Sequence, residues 1–188
     1  MNAAEHRALR ELWAFTTGLE RHWTSLAGRI EAGEPDAAAA LRDGVAASAR
    51  LRAALRPAMA ARDLYAESAA EAAGRLVSPR PPAGDAVLER NQALRFAVLD
   101  VQHVVTLLGY LARLAAADGD AELRALLETG EGELRAAEGR IRQAAVALGD
   151  RPDDAIRPAG SRAGHLVGYA IGYAGEWVDR RIGRRRGR

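Results

Sequence analysis

The side chains that could carry out chemistry in this 188-residue chain belong to few types. The sequence contains no cysteine, and all 27 of its Lys+Arg residues are arginine. Thiol nucleophiles, disulfides, thiolate metal sites, Schiff-base lysines and P-loop lysines are therefore excluded. Imidazole, carboxylate, hydroxyl and guanidinium groups remain, and the histidines are His6, His22, His103 and His165.

The hydroxyl and carboxylate groups form no recognisable hydrolytic motif. None of the five serines lies in the Gly-x-Ser-x-Gly pattern of a nucleophile elbow. Carboxylates recur at helical spacing, as at Asp63, Glu67 and Glu71. Acids interspersed with arginines in this way are typical of a solvated helix face. The sequence therefore does not favour a hydrolase, and it identifies no small-molecule substrate.

The elements that must position these side chains are helices separated by short breaker segments. The breakers are Gly33 to Asp36, Ser78 to Asp85, Asp118 to Asp120 and Gly149 to Ser161. No segment alternates as a strand should, so we predict one all-α domain over residues 1–179. The predicted helices run approximately over Ala3 to Ile30, Asp36 to Leu76, Asp85 to Ala116, Asp120 to Leu148, and Ala163 to Val178.

Apolar stripes predict which helix faces are buried. The first helix carries a stripe that includes Leu12 and Trp23, and the fourth carries one that begins at Leu123. The short turn before the fourth helix predicts that the third and fourth helices are antiparallel neighbours in an up-down bundle of four long helices. The second helix is alanine-rich with a thin stripe, and Pro57 is expected to kink or split it.

The predicted C-terminal helix has an unusual glycine face. Each interior glycine costs about 1 kcal/mol relative to alanine, so close approach of another helix must offset roughly 4 kcal/mol. The partner could be a helix of the same bundle or of a second copy in a homodimer, and insertion into a membrane surface is a third alternative. This face carries Gly164, Gly168, Gly172 and Gly175; the second carries His165, Tyr169, Tyr173 and Trp177; the third carries Leu166, Val167, Ala170, Ile171, Ala174 and Val178.

The charge is concentrated at the C-terminus. The net charge is +2, and residues 176–188 contain six arginines and two acids, so this end carries +4 and the remainder carries 2 − 4 = −2. A disordered tail that aids solubility is the simplest interpretation. The alternative is binding to nucleic-acid phosphates or an acidic membrane surface, without base stacking because no aromatic residue follows Trp177. The arginines of this tail, residues 180–188, are Arg180, Arg181, Arg184, Arg185, Arg186 and Arg188.

The sequence also bears on location in the cell. Charged residues at Glu5, Arg7 and Arg10 interrupt the start of the chain, where a secretory signal would be apolar. The longest apolar stretches are broken by charged residues or are too short to cross a bilayer. We therefore expect a cytoplasmic protein.

One region suggests a family. The stretch DAELRALLETGEGELRAAEGRIRQAAVALGD, from Asp120 to Asp150, is followed by Arg151 and Pro152. It resembles the fourth-helix region of stress-associated ferritin-like bundle proteins in its small-residue turn, leucine pair, acidic helix middle and closing Leu-Gly-x-x-Pro. The likeness covers about residues 85–150. It implies a four-helix bundle, iron or manganese held between facing helices, and dimers.

The resemblance also implies a ligand set of carboxylates with a Glu-x-x-His pair. Asp100-Val-Gln-His103 is the nearest counterpart, with Asp100 in place of glutamate. In the fourth helix the family pattern puts a histidine near Gly130 and a carboxylate near Glu133, and only the carboxylate is present. Glu138 completes the best available set. Helical geometry nevertheless places His103 on a solvated stripe and these glutamates at the flanks of the apolar face.

Together these features favour a non-catalytic, ferritin-like helical-bundle protein without a working metal centre. It would act as a homodimer through its C-terminal glycine-rich helix or as an interaction scaffold. The first alternative is an iron- or manganese-binding oxidase or storage protein that uses Asp100, His103, Glu133 and Glu138. The second is a nucleic-acid or membrane-surface binder that uses the arginine-rich tail.

Overall fold

The computed structural model describes residues 3–64 and 88–160, and within these ranges it contains four long helices and no strand. The all-α prediction is therefore confirmed. The elements are α1 (Ala3–Ile30), α2 (Pro35–Ala60), α3 (Arg90–Ala117), α4 (Ala121–Ala147), a 3-10 turn (Leu148–Asp150) and a single helical turn, α5 (Pro152–Ala155).

Local sequence signals account for several helix ends. Pro35 opens α2, where its missing N–H costs nothing. Asp120 caps α4 by accepting a hydrogen bond from the backbone N–H of Leu123 at 2.9 Å. Gly119, with φ of 75°, closes α3 in the left-handed conformation that glycine adopts at low cost. These signals lie at the breakers that the sequence indicated.

Two predicted helix bounds were wrong. The second helix was expected to reach Leu76, but α2 ends at Ala60, three residues beyond Pro57. Asp63 then adopts a φ of 54°, and the N–H of Leu64 donates to the carbonyl of Met59 at 3.0 Å. This is a Schellman closure in which aspartate occupies the position usually held by glycine, so no glycine marks the helix end in the sequence.

The third helix was expected to begin near Asp85, but α3 begins at Arg90. Glu89 lies outside the helix with an extended backbone and forms a capping box with Gln92. A capping box satisfies donors at the helix start, so it fixes the start at this point. Residues 65–76 of the predicted second helix and 85–87 of the predicted third helix lie outside the described residues.

Each long helix packs against two others around one apolar core. The first helix contacts α2 and α3, and α4 contacts the same two helices. The predicted stripes of α1 and α4 are confirmed, since Leu12, Trp23, Leu123 and Ile141 are all at most 2% exposed. In α2 the buried face is made largely of small residues: Ala37, Ala38, Ala40, Gly44, Ala47 and Ser48.

One helix of the described part has the length and composition that a membrane span requires. A window within Arg90–Ala117 has a mean hydropathy of 1.3, and half of that window is buried against the other helices. The core helix of a helical bundle has the same composition, because several of its faces are covered.

Candidate functional site

The carboxylate and imidazole of the predicted Asp100/His103 pair are each engaged by α1. The Nδ1 atom of His22 lies 2.9 Å from Oδ2 of Asp100. The Nε2 atom of His103 lies 3.0 Å from Oε1 of Glu11, and the His103 ring centre lies 4.2 Å from that of Phe15. His103 is 45% exposed at its side chain, which agrees with a solvated stripe. The sequence did not indicate that α1 supplies the partners.

The two predicted carboxylate ligands of α4 are paired with arginines. Glu133 accepts a hydrogen bond from Arg50 of α2 at 2.8 Å, and Glu138 pairs with Arg142 one turn further along α4. Within residues 3–64 and 88–160, no three histidine, aspartate or glutamate side chains are placed to hold one metal ion. Each of the four predicted ligands instead contacts a side chain outside the predicted set.

The position where the ferritin-like pattern would place a histidine is filled by a leucine. A Cβ atom on Gly130 would lie 2.8 Å from Cδ1 of Leu51, a side chain that is 4% exposed. A larger side chain at residue 130 would require the Leu51 side chain to shift within the core. The α2 helix thus covers the apolar face of α4 at this level.

A tryptophan fills the interior between three helices. The Trp23 ring, fully buried, lies against the backbone of α2 at Gly44, where a Cβ atom would come within 2.1 Å of Cζ3. The same point on Gly44 is 3.3 Å from Cβ of Ala137 in α4. Aromatic and small aliphatic groups therefore meet at this point between α1, α2 and α4.

One end of the helices is held by an arginine between two acids. Arg62, just after α2, lies 2.9 Å from Oε1 of Glu5 and 2.7 Å from Oδ2 of Asp120. The Glu5 side chain is 2% exposed. The hydrogen bond from the Leu123 N–H, followed by that from Arg62, lowers the pKa of Asp120. Burial opposes the charge of Arg62, but its contacts with Asp120 and Glu5 outweigh burial and raise its pKa.

The opposite end is held by an acid between two arginines. Glu34, at the start of α2, lies 3.2 Å from Arg90 of α3 and 2.9 Å from Arg151. The Glu34 side chain is 8% exposed. A Cβ atom on Gly33 would lie only 2.6 Å from Nη1 of Arg90. Both arrangements neutralise buried carboxylates and join separate helices, as structural ion pairs do.

An apolar groove of about 870 Å³ runs between α3 and α4 at the end of the molecule that contains Glu34. We call it the α3/α4 groove. Leu99 is 56% exposed and Val146 is 74% exposed, although both are large aliphatic residues. The two helices that line the groove are joined by a hydrogen bond from the Asn91 side chain to the carbonyl of Ala145 at 2.8 Å. Among its lining residues are Leu88, Phe96, Leu99, Gln102, Arg142 and Val146.

Two backbone hydrogen bonds at the edge of the α3/α4 groove join the residues around the start of α3 to the segment that follows α5. The N–H of Arg90 donates to the carbonyl of Arg157 at 2.8 Å, and the N–H of Ala159 donates to the carbonyl of Leu88 at 3.0 Å. Leu88 is a lining residue, and Ala159 is only 1% exposed. The segment that leaves α5 is therefore fixed at the edge of the groove before the described part ends at Gly160.

Several predicted sites lie outside the described residues. They are the seam residues Gly164, Gly168, Gly172, Gly175, Tyr169, Tyr173 and Trp177, and the tail residues Arg180, Arg181, Arg184, Arg185, Arg186 and Arg188. The α3/α4 groove, which lies within the described part, was not predicted from the sequence. Apolar residues off the buried stripes, such as Leu99 and Val146, were a signal that could have located it.

Comparison with known proteins gave no relative. No family model, no curated protein and no solved structure matched this chain.

Proposed function

We propose that this protein is a non-catalytic helical-bundle protein, ferritin-like and up-down in arrangement, that acts as a homodimer or an interaction scaffold. Its C-terminal glycine-rich segment would form the seam between the two copies. The pairing of carboxylates with arginines in the described residues supports a structural role for these acids. The carboxylates of Glu5, Glu34 and Glu133 are each within 3.2 Å of an arginine nitrogen. Removing such an acid from its arginine to bind a cation would leave a charge unpaired.

The observation that carries this proposal is the filling of the interior between the helices. A bundle that binds metal needs inward-pointing carboxylates and imidazoles from facing helices. Here the facing positions carry Trp23 against Gly44, and Leu51 against Gly130. Because close-packed interiors leave no space for extra groups, ligands could enter only by displacing these side chains.

Iron loading tests the proposal directly. The full-length protein is incubated with ferrous iron without oxygen, exposed to air, and desalted. We expect no ferric absorption band and no retained iron. Stoichiometric iron retention would overturn the proposal and favour the oxidase or storage alternative. In that case, loss of binding in Asp100→Asn and Glu133→Gln variants would identify the ligands.

Oligomeric state tests the second half of the proposal. Light scattering should give a dimer for the wild type and a monomer for Gly168→Leu, because a leucine side chain would hold the two helices apart. Gly132→Leu is the matched control, since Gly132 lies on α4 with nothing within 4 Å of a Cβ position. A wild type that is monomeric at every concentration rejects dimerisation.

A further inference from the structure

We infer that the α3/α4 groove holds the C-terminal glycine-rich segment of the same chain, residues 163–178, through that segment's apolar face. The inference does not depend on the proposed function, since a bundle with a metal centre could hold the segment in the same way. The groove needs an apolar occupant because it exposes Leu99 and Val146 side by side with other lining residues. Contiguous exposed apolar surface of this kind marks an interaction site.

The path of the chain favours this occupant. The backbone of Ala159 is bonded to that of Leu88, a lining residue, so the chain reaches Gly160 at the groove edge. Twenty-eight residues, 161–188, follow Gly160. Because each extended residue spans at most about 3.6 Å, two or three residues suffice to bring residue 163 to the groove. A tethered segment this close has a high effective concentration at the groove.

The dimensions of the segment also match those of the groove. Along α3 the lining runs from Asn91 to Gln102, which corresponds to about 17 Å at the helical rise. The apolar face of the segment runs from Leu166 to Val178, about 18 Å as a helix. An amphipathic helix that lays its apolar face into such a groove is a recurrent mode of recognition.

If the segment docks by its apolar face, its glycine face remains available for contact with a second copy. At 100° per residue, the centre of the glycine face lies about 115° from the centre of the apolar face. The glycines would then flank the groove instead of facing its floor.

The segment that joins Leu88 from the other side is a poorer occupant. Residues 65–87 precede Leu88 in the sequence, and they contain Pro79, Pro81 and Pro82. Three prolines prevent a continuous helix in the residues nearest to Leu88. The apolar positions of residues 163–178 are interrupted by no proline.

Cysteine cross-linking in the full-length chain tests the inference, and the absence of natural cysteine makes the background clean. Val146→Cys, in the groove, is combined in turn with Leu166→Cys, Ala170→Cys and Ala174→Cys. The matched control replaces Val146→Cys by Arg50→Cys, whose position on α2 is also exposed. Disulfide formation under mild oxidation is followed on non-reducing gels and by peptide mass spectrometry.

At least one apolar-face position should form an intramolecular disulfide with Val146→Cys about tenfold faster than with Arg50→Cys. Equal rates with both partners would overturn the inference. So would predominant disulfide-linked dimers, which would assign the groove to a second copy. A groove that another protein fills would leave all three pairs slow, and this result also contradicts the inference.

A second measurement uses the accessibility of Arg162 to trypsin. A charge placed in the groove by Leu99→Asp should expel the segment and speed cleavage after Arg162 about tenfold. Tyr110→Asp is the matched control, because Tyr110 is an exposed α3 residue that does not line the groove. Circular dichroism checks that both variants remain folded. Cleavage rates that do not differ between the two variants would refute the docking.

Discussion

Replacing Gly44 by alanine should destabilise the protein although alanine is the better helix former. The added Cβ atom would lie 2.1 Å from Cζ3 and 2.7 Å from Cε3 of the buried Trp23 ring. Because the ring is rigid and fully buried, it can escape only by moving its neighbours. Overpacking of this kind costs about 1–3 kcal/mol, and the contact is severe enough to favour the upper half of that range.

The gain in helix propensity opposes this cost. Exchange of glycine for alanine within a helix contributes about 1 kcal/mol of stability. We therefore expect a net loss of about 1–2 kcal/mol for Gly44→Ala, or roughly 2–8 °C in Tm for a chain of this size. Urea unfolding followed by circular dichroism measures the free energy of unfolding.

Two further variants separate the steric clash at Gly44 from the change in helix propensity. Gly132→Ala, where a Cβ atom meets nothing within 4 Å, should raise stability by about 0.5–1 kcal/mol. Trp23→Phe removes the outer ring of the indole, so Gly44→Ala should cost at least about 1 kcal/mol less in that background. Phenylalanine also lacks the indole N–H of Trp23, which is buried without an acceptor among the described residues. If Gly44→Ala is neutral, or strictly additive with Trp23→Phe, the proposed packing is incorrect.

Three other predictions concern the charged residues. Arg62→Met should lower the free energy of unfolding by about 1.5–3 kcal/mol in urea titrations, since it removes the guanidinium that donates to both Glu5 and Asp120; a loss below about 0.5 kcal/mol would contradict this. Arg50→Met, which removes an ion pair with side chains 63% and 39% exposed, should change it by less than about 1 kcal/mol. The pKa of Asp120 is lowered in the folded state, so its contribution is complete above the unfolded pKa of about 3.9 and is lost as the pH falls through the folded pKa. Stability of Asp120→Asn should therefore fall less steeply than that of the wild type below about pH 5, and identical slopes would refute the role of the Leu123 N–H and Arg62.

Helix faces were the most predictable part of this protein. The stripe that contains Leu12 and Trp23 is buried as expected, because the side chains of one helix face recur at a spacing that the sequence displays directly. Gly119 and Asp120 likewise predicted the turn between α3 and α4, where the structure places it. The end of α2 was not predictable, because aspartate rarely takes the left-handed conformation found at Asp63.

The candidate sites were less predictable, because their partners are distant in the sequence. Asp100 and His103 were identified as a possible pair, but each contacts a residue of α1: Asp100 contacts His22, and His103 contacts Glu11. Nothing local to α3 indicates which charged residues α1 brings to it. Likewise, Glu34 receives arginines from two other segments, a contact that depends on how the helices are assembled.

The sequence by itself determined the chemistry that is available, the helices of the described part, and the faces that they bury. These properties follow from residue type and from spacing along one helix. Tertiary structure decided that Trp23 packs on Gly44, that Leu51 covers Gly130, and that Leu99 and Val146 border a groove. Each of these contacts depends on the rotation and offset of one helix against another. Many close-packed side chains set those two quantities jointly, so no single stretch of sequence contains them.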